Sequence, residues 1–283
     1  MTFAQRDIDV TITQVATGKT WKLSGHRVQC AIRVLGGITN DLMQMRIFGL
    51  PLSLSNELTA IGSLNPLAMG NNLISVAAGD HGKTLPTVYD AHIFQAWNDY
   101  TSAPDVSFNV IAMAGAHAAI APVSPTSFKG SVLASTVLAS IAQLAGFNFV
   151  NEGVVGTLIN PYFSGTAIDQ LRKCAHQSQV DYEIRLQTLS VWPKGANRTG
   201  DIPIISPSTG MVSYPTFQMS QVSVRSVFLP GISLGMQFKI EGSTFAKANG
   251  LWTAMHGMTH NLESQTPGGA WFTDLEGWNN VTA

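Results

Sequence analysis

The sequence has few charged side chains, only two cysteines and no apolar run long enough to cross a membrane. Charged residues make up 12% of the 283 positions, against about 25% in a typical soluble domain. A freely soluble monomer usually covers its surface with charge. The shortage therefore favours either a chain that buries much of its surface against other subunits or one with a neutral polar surface.

The charges that are present balance almost completely. There are 16 basic and 17 acidic residues, which gives a net charge of −1, and they form neither a basic stripe nor an acidic tail. Proteins that bind nucleic acid tightly carry clustered positive charge. The composition therefore excludes tight nucleic-acid binding as the main activity.

The cysteines and the N-terminus indicate the cellular compartment in which the chain assembles. Cys30 and Cys174 are too few for a disulfide framework, and we expect reduced thiols, as suits assembly in a cytoplasm. The first seven residues are polar and lack the apolar core of a signal peptide. The most apolar run, 110–123, is too short for a membrane span, so no membrane partner is expected.

Alternating apolar and polar residues predict a mainly β region over 1–117. The alternation is clear at Ile8, Val10 and Ile12, over 26–35, and at Met43, Met45 and Ile47. A short helix is predicted over 51–62, with Ser53 or Ser55 as its N-cap. Further strands are predicted near 72–78, 86–98 and 105–114.

The middle of the chain, 118–198, changes to a helical period and predicts a small α/β module. One helix is predicted over 131–146, with Ser131 as the cap and Gly146 as the stop. A second is predicted over 166–179, where Thr166 and Asp169 resemble a capping box. Two short strands follow, at 182–187 and 189–192.

Residues 199–283 return to β alternation and contain a segment similar to an earlier one. Residues 88–111 align with 251–274 without gaps, which matches Ala91 with Ala254, Asn98 with Asn261, Pro104 with Pro267, and Phe108 with Trp271. These few identities arise either by chance or by duplication; if by duplication, a β-domain occurs twice. The predicted fold class is then α+β, mainly β, with two similar β-barrel-like domains flanking the α/β module.

One glycine-rich segment has part of a phosphate-binding pattern. Residues 79–84 read Gly-Asp-His-Gly-Lys-Thr, but the glycine required five positions before Gly82 is Ala77. Pro86 and strand alternation follow, whereas a phosphate loop opens a helix. A polar hairpin turn is the better interpretation.

Histidine and cysteine spacings likewise fail on geometry. His256 and His260 have zinc-peptidase spacing, but on a strand they lie about 13 Å apart, too far to share one zinc ion. Cys174 and His176, two positions apart on a helix, point in different directions. No carboxylate pair stands out either. We therefore predict no catalytic, cofactor-binding or metal-binding residues, and no enzyme.

Several segments resemble the baseplate hub proteins of contractile-tailed bacteriophages, in the same order along nearly the whole chain. They are 44–50 (QMRIFGL), 160–166 (NPYFSGT), 191–195 (VWPKG), 205–215 (ISPSTGMVSYP) and 267–273 (PGGAWFT). No single one of these segments is chemically diagnostic. Their order and spacing carry the resemblance.

The resemblance implies a structural protein of the virion tail baseplate, assembled in the host cytoplasm. Such hubs are homotrimers in which two similar barrels per chain make a ring of six, joining the six-fold tail tube to a three-fold central spike. Other implied partners are the baseplate wedge and tape-measure proteins. DNA would only pass transiently through a channel lined by polar strand faces. The alternatives are a tail tube or tube-initiator protein, or a tail-associated cell-wall hydrolase.

Overall fold

The computed structural model describes residues 5–36, 41–59, 72–218 and 221–278. Its strands are β1 (Arg6–Gln14), β2 (Lys19–Leu23), β3 (Val28–Val34), β4 (Leu42–Phe48), β5 (Asn72–Asp80), β6 (Thr87–Asp99), β7 (Ser107–Met113), β8 (Thr126–Ser127), β9 (Ser131–Leu133), β10 (Asn148–Asn151), β11 (Thr157–Ile159), β12 (Tyr162–Phe163), β13 (Val180–Arg185), β14 (Thr188–Pro193), β15 (Ile204–Ile205), β16 (Met211–Gln218), β17 (Gln221–Val227), β18 (Gln237–Ile240), β19 (Gly250–Glu263) and β20 (Trp271–Trp278). The helices are α1 (Leu52–Thr59), α2 (Ala116–Ile120), α3 (Ala134–Ala145) and α4 (Ala167–Ser178). The protein is mainly β, as predicted.

Thirteen strands form one sheet that draws on both ends of the sequence. The order is β16-β17-β20-β19-β3-β4-β7-β6-β5-β1-β2, with β18 and β15 branching from β19. The two predicted β regions therefore join edge to edge, where β19 pairs with β3. Among the described residues this path stays open, so the expected barrels are not closed there.

The sequence alternation correctly gives the buried face of the early strands. Ile8, Val10 and Ile12 in β1 are buried, as are the alternate residues of β3 and β4. Because successive side chains on a strand point to opposite faces, one apolar face of the sheet supplies the core.

Two of the three predicted helix caps are wrong. Helix α1 begins at Leu52, so Ser53 and Ser55 lie inside it, and Ser55 instead donates a hydrogen bond to the Leu52 carbonyl oxygen (3.1 Å). Residues 60–62 of that prediction lie outside the described residues. Helix α3 begins only at Ala134 because Ser131 belongs to β9, which pairs with β11.

The remaining helix signals are confirmed. Gly146 ends α3 in the left-handed conformation (φ 77°), where glycine is favoured. Thr166 caps α4 in a capping box with Asp169: each side chain bonds to the backbone N–H of the other residue, at 3.2 Å in both cases.

The buried apolar residues form two clusters. One contains residues from 8 to 112 together with residues from 192 to 275, and the other contains residues from 118 to 191. The helical middle of the chain thus has its own core. The boundaries 1–117, 118–198 and 199–283 remain a prediction.

The same strand order occurs twice. Strands β3 to β7 lie in the sheet order β3-β4-β7-β6-β5, and strands β16 to β20 lie in the order β16-β17-β20-β19-β18. All neighbours within both sets are antiparallel. The gapless alignment extends to the third strand of each set, because Ala77 pairs with Thr87 and the aligned Ile240 pairs with Gly250.

Bulges alter the alignment within the hairpins. In β6 the register shifts between Ile93 and Gln95, and in β19 it shifts between Ala254 and Met258. The second bulge is one residue longer, since a bulge inserts unpaired residues into one strand. In the later part of β19 the structural match therefore slips by one residue, and Asn261, matched with Asn98 in the sequence, occupies the position of Trp97.

Candidate assembly surfaces

The polar side of the sheet runs without a break across the joint between the two β regions. Successive pairings place Glu263, Gln29, Arg46, Asn109 and Trp97 in one row. These side chains line a shallow depression that spans five strands. This surface can cover or guide a partner without offering a deep pocket for a small ligand.

Three arginines on this polar side lie beside carboxylates. Arg27 bonds to Glu263 at 3.0 Å, and Arg225 bonds to Asp274 at 2.6 Å. Arg46 lies 3.5 Å from Asp99. Because each of these three carboxylates has an arginine beside it, these arginines have little charge left with which to hold a polyanion.

The joint between β19 and β3 is apolar on its inner side. It runs from Met258 paired with Val34 to Glu263 paired with Gln29. At its centre the pair His260 and Ile32 is almost fully buried. Burial lowers the pKa of His260 to about 3, so the ring is neutral at ordinary pH. Its Nδ1 lies 2.9 Å from the Thr273 hydroxyl.

A buried carboxyl group lies where the first β region meets the helical module. Asp41 Oδ1 accepts hydrogen bonds from the backbone N–H groups of Leu35 (2.9 Å) and Gly36 (3.3 Å). Burial, and next the nearby Glu183, raise the pKa of Asp41 to about 7. This carboxyl group therefore changes charge near neutral pH.

Two arginines tie the module to the second β region. Arg198 bonds to Glu152 and to Glu183, each at 2.7 Å, and donates to the Leu234 carbonyl oxygen at 3.0 Å. Arg185 donates to the carbonyl oxygens of Ile232 and Pro230. Such a network leaves a costly unpaired charge if one member is removed.

The structure shows where the motifs identified in the sequence lie. Residues 79–84 form a hairpin turn between β5 and β6, as predicted, and not a phosphate loop. Cys174 is buried, which raises its pKa to about 12, whereas His176 is exposed. Cys30 and Cys174 are both free thiols, in different clusters.

The histidine spacing in β19 lies on a strand, as predicted. His260 is committed to Thr273 within the core, and the side chain of His256 lies outside what the structure describes. Within the described residues no group of three or more His, Cys, Asp or Glu could hold a metal ion. The absence of catalytic, cofactor and metal residues remains a prediction. No helix in the described part of the chain is long and apolar enough to span a membrane.

Two strands carry large exposed apolar side chains, which the alternation pattern alone did not distinguish from core. One is β16, at the end of the sheet, where Tyr214 is 59% exposed and Val212 is 44% exposed. The other is the later part of β6, where Phe94 is 45% exposed and Trp97 is 36% exposed. Contiguous exposed apolar surface is a mark of interaction sites.

No protein-family model and no curated protein sequence matches this chain, but solved structures match its fold. A tail protein from Neisseria meningitidis MC58 matches with a TM-score of 0.66 at 10% identity, covering 98% of this chain and 97% of that one. The 43 kDa tail protein of prophage MuSo2 from Shewanella oneidensis matches with a TM-score of 0.62 at 8% identity, covering 96% and 97%.

A third match comes from a secretion machine. It is the E. coli c3393 protein, described as a component of the type VI secretion system with structural similarity to the T4 bacteriophage tail proteins gp27 and gp5. It has a TM-score of 0.62 at 8% identity and covers 90% of this chain and 74% of that one. The resemblance to phage tail hubs is therefore confirmed at the level of the fold.

Proposed function

We propose, from the fold that this chain shares with phage and type VI tail proteins, that it is the structural hub of a tail baseplate. Three copies form a ring that adapts the six-fold tail tube to a three-fold central spike. Residues 1–117 and 199–283 act as two similar barrel-like domains of the ring, and residues 118–198 form a module outside it.

The observation that carries this proposal is the repeated strand order. Two sets of five strands follow each other in the same order, with the same antiparallel neighbours, and lie in one sheet. Three chains with two such units each present six similar surfaces around a three-fold axis. A six-fold partner can then bind with little distortion, whereas a ring with one unit per chain would offer only three.

The charge distribution favours a channel through which DNA passes over a surface that binds DNA tightly. Arg27, Arg46 and Arg225 on the polar side of the sheet are each paired with a carboxylate. A channel lined by this side would let the tape-measure protein and DNA pass, because these paired arginines have little charge left to bind phosphates tightly.

The spike is the partner with the most support from related folds. A chain of a solved PdpA–VgrG complex matches with a TM-score of 0.60, at 8% identity, over 98% of this chain and 66% of its own length. We extend this by analogy to a spike protein for this chain. Tail tube and baseplate wedge proteins complete the proposed set of partners.

A structural role also agrees with the chemistry of the described residues. His260 and Asp41, two buried titratable groups, are each hydrogen-bonded to neighbours within the fold. We therefore propose that the protein is not an enzyme. A wall-degrading hydrolase would need a positioned acid and base at an accessible site.

Native mass spectrometry and electron microscopy of the purified 30.3 kDa chain test the proposal. The expected result is a trimer whose averaged images show six similar lobes around a channel. A ring of six chains would support the tube or tube-initiator alternative. A monomer that clears cell-wall material would support the hydrolase alternative. A variant with Ile159→Ser, which changes an exposed residue of the module, serves as the control and should remain trimeric.

A further inference from the structure

An open cavity of about 810 Å³ lies on the surface of the helical module. It forms where the chain leaves α4 and enters β13, and β12 and the residue that follows β14 complete its walls. We call this cavity the module groove. All of its lining residues lie between 162 and 194, so it belongs to the part of the chain that has its own buried core.

The shape of the groove follows from the way in which α4 ends. Gln179 is the C-cap of the helix, in the left-handed conformation (φ 52°), and its backbone N–H bonds back to carbonyl oxygens of the last turn. The chain therefore changes direction at this residue. Val180 then pairs with Pro193, and the backbone N–H of Lys194 bonds to the Gln179 carbonyl oxygen at 3.0 Å. These contacts hold Lys194 beside the end of the helix.

The module groove has an apolar floor and a polar rim. Phe163, Ala175 and Val180 line it and are buried. Tyr162 lines the same groove but is 66% exposed, and Gln177 is an exposed residue of the rim. An apolar centre within a polar rim is the usual arrangement of a protein–protein contact.

The charges in the module groove are mainly positive. Arg172, Lys173 and Lys194 line it, against one carboxylate, that of Asp181. In the described parts of the chain none of these three cations forms an ion pair. Lys173 donates instead to the Ser164 carbonyl oxygen at 2.7 Å. The groove thus keeps a positive charge in a chain whose net charge is −1.

The charge of Arg172 is only partly compensated by the fold. Its guanidinium hydrogen-bonds with the Tyr182 hydroxyl. Its Nε is buried and has no hydrogen-bond partner in the residues that the structure describes. Buried polar groups normally have partners, because an unpaired one costs free energy. With neither a carboxylate nor an acceptor at Nε, this guanidinium is suited to attract an anion that enters the groove.

The helix dipole does not account for these cations. Basic side chains stabilise a helix when they lie in its last turn, where the dipole is negative. In α4 only His176 lies in that turn. Arg172 and Lys173 lie further back in the helix, and Lys194 lies outside it. The positive charge of the groove is therefore more than helix capping requires.

We propose that the module groove binds an acidic segment of a partner protein, with carboxylates beside Arg172 and Lys194 and an apolar side chain against Phe163. Gln177 and Gln179 on the rim carry amide groups that can hydrogen-bond to the main chain of such a segment. A nucleic acid would need cations spread along a stripe, whereas three cations here share one groove with an apolar floor. This binding goes beyond the proposed function and does not depend on the ring.

Fluorescence anisotropy with the full chain tests the proposal. The probe is a fluorescein-labelled peptide in which glutamate and phenylalanine alternate. It should bind saturably, and the binding should weaken as sodium chloride is added, because salt screens exposed charges. A matched peptide with glutamine in place of glutamate should bind about tenfold more weakly or worse, since it lacks the charge-assisted hydrogen bonds.

Variants of the chain test the position of the binding site. Arg172→Gln with Lys194→Gln should weaken binding about tenfold or more, because it removes two of the three cations. Lys22→Gln with Lys247→Gln also removes two positive charges, from exposed lysines outside the module, and should bind as the wild type does. Tyr162→Ala should weaken binding without changing its dependence on salt. Circular dichroism should show all of these variants folded.

Lys194→Glu keeps the test valid if the loss of Arg172 unfolds the module. Lys194 is exposed and forms no printed ion pair within the described residues, so reversing its charge should leave the fold unchanged. The variant should nevertheless bind the acidic peptide about tenfold more weakly, because like charges repel. A folded Lys194→Glu variant that binds as the wild type does would overturn the proposal.

The remaining outcomes separate this inference from the proposed function. No saturable binding of the acidic peptide, or equal binding of the glutamine peptide, overturns the groove as an acidic-segment site. Tighter binding of a short single-stranded DNA also overturns it, in favour of a nucleic-acid surface. A wild-type chain that is monomeric but binds the peptide contradicts the ring and supports the groove, and a trimer that does not bind the peptide does the reverse.

Discussion

The first and second β regions share a strand order, yet they meet their neighbours differently. In the second region the later part of β19 meets β3 within the same chain, and the centre of that joint, His260 beside Ile32, is buried. In the first region the later part of β6 keeps Trp97 partly exposed. Two units with the same strand order can therefore differ in what lies beside their fourth strand.

The second region also differs in its attachment to the helical module, which relies on buried charge. Arg198 is largely buried between Glu152 and Glu183 and lies over the Trp192 ring. In the first region the comparable arginine on the sheet, Arg46, is half exposed beside Asp99. We expect these two arginines to respond very differently to the same substitution.

The largest effect should come from Arg198→Ala. Removing one partner of a buried ion pair typically costs about 3–5 kcal/mol, because the remaining charge is left without compensation. Arg46→Ala should cost less than about 1 kcal/mol, since exposed pairs contribute little. Urea unfolding of both variants, followed by fluorescence, measures the difference. Equal losses in the free energy of unfolding would mean that the difference in burial between the two arginines does not affect stability.

A smaller and pH-dependent effect should come from His260 at the internal joint. Its folded-state pKa, about 3, lies below the ordinary value, so the unfolded chain binds the proton more readily. Stability from this group is present above about pH 6.5 and is lost as the pH falls towards 3.

The control for His260 is Phe228, whose ring packs against the histidine ring. His260→Phe should lose stability at neutral pH, because the Thr273 hydrogen bond disappears, but its stability should fall less steeply than that of the wild type between pH 6 and 4. Phe228→Leu keeps the histidine while changing the ring packed against it (5.3 Å between centroids), and should keep the wild-type slope. Parallel slopes for His260→Phe and the wild type would contradict the assignment.

The smallest effect should come from Asp41, with the opposite sign. Its folded-state pKa, about 7, is raised above the ordinary 3.8, so the folded protein binds the proton more readily. Stability from this group is present below about pH 4 and is lost as the pH rises through 7. Asp41→Asn retains an acceptor for Leu35 and Gly36 and should be more stable than the wild type at pH 8.

Thermal unfolding of Asp41→Asn and the wild type across pH 4 to 8 measures this effect. The difference in melting temperature should grow in favour of the variant as the pH rises. Glu276→Gln, which changes an exposed carboxylate of β20, controls for the loss of one negative charge. A variant that is less stable than the wild type at pH 8 would mean that the Asp41 carboxylate is held by favourable charge interactions.

Local pattern predicted much of the fold because it depends on near neighbours. The alternation in β1, β3 and β4 gave the buried faces, and Thr166 with Asp169 gave the start of α4. The same reasoning failed at Ser131. A serine caps a helix only if the chain turns there, and pairing of β9 with β11 keeps residues 131–133 extended.

The candidate surfaces were harder to predict than the elements. The alignment of 88–111 with 251–274 identified two related hairpins, but it slipped by one residue after the bulge in β19, because a bulge changes register without a clear sequence signal. Trp97 and Trp252 both stand in strand patterns, yet Trp97 is exposed and Trp252 is buried.

By itself the sequence determined the mainly β fold class, the separate helical middle and the two related hairpins, since these follow from side-chain period and local capping. Only the tertiary structure decided that β19 and β3 join the two β regions into one sheet, and that Arg198 and Asp41 become buried at the module. Each of these depends on contacts between residues far apart in the chain. Their free energy comes from desolvation and from pairing between residues that are far apart in the sequence, which a local sequence pattern cannot predict.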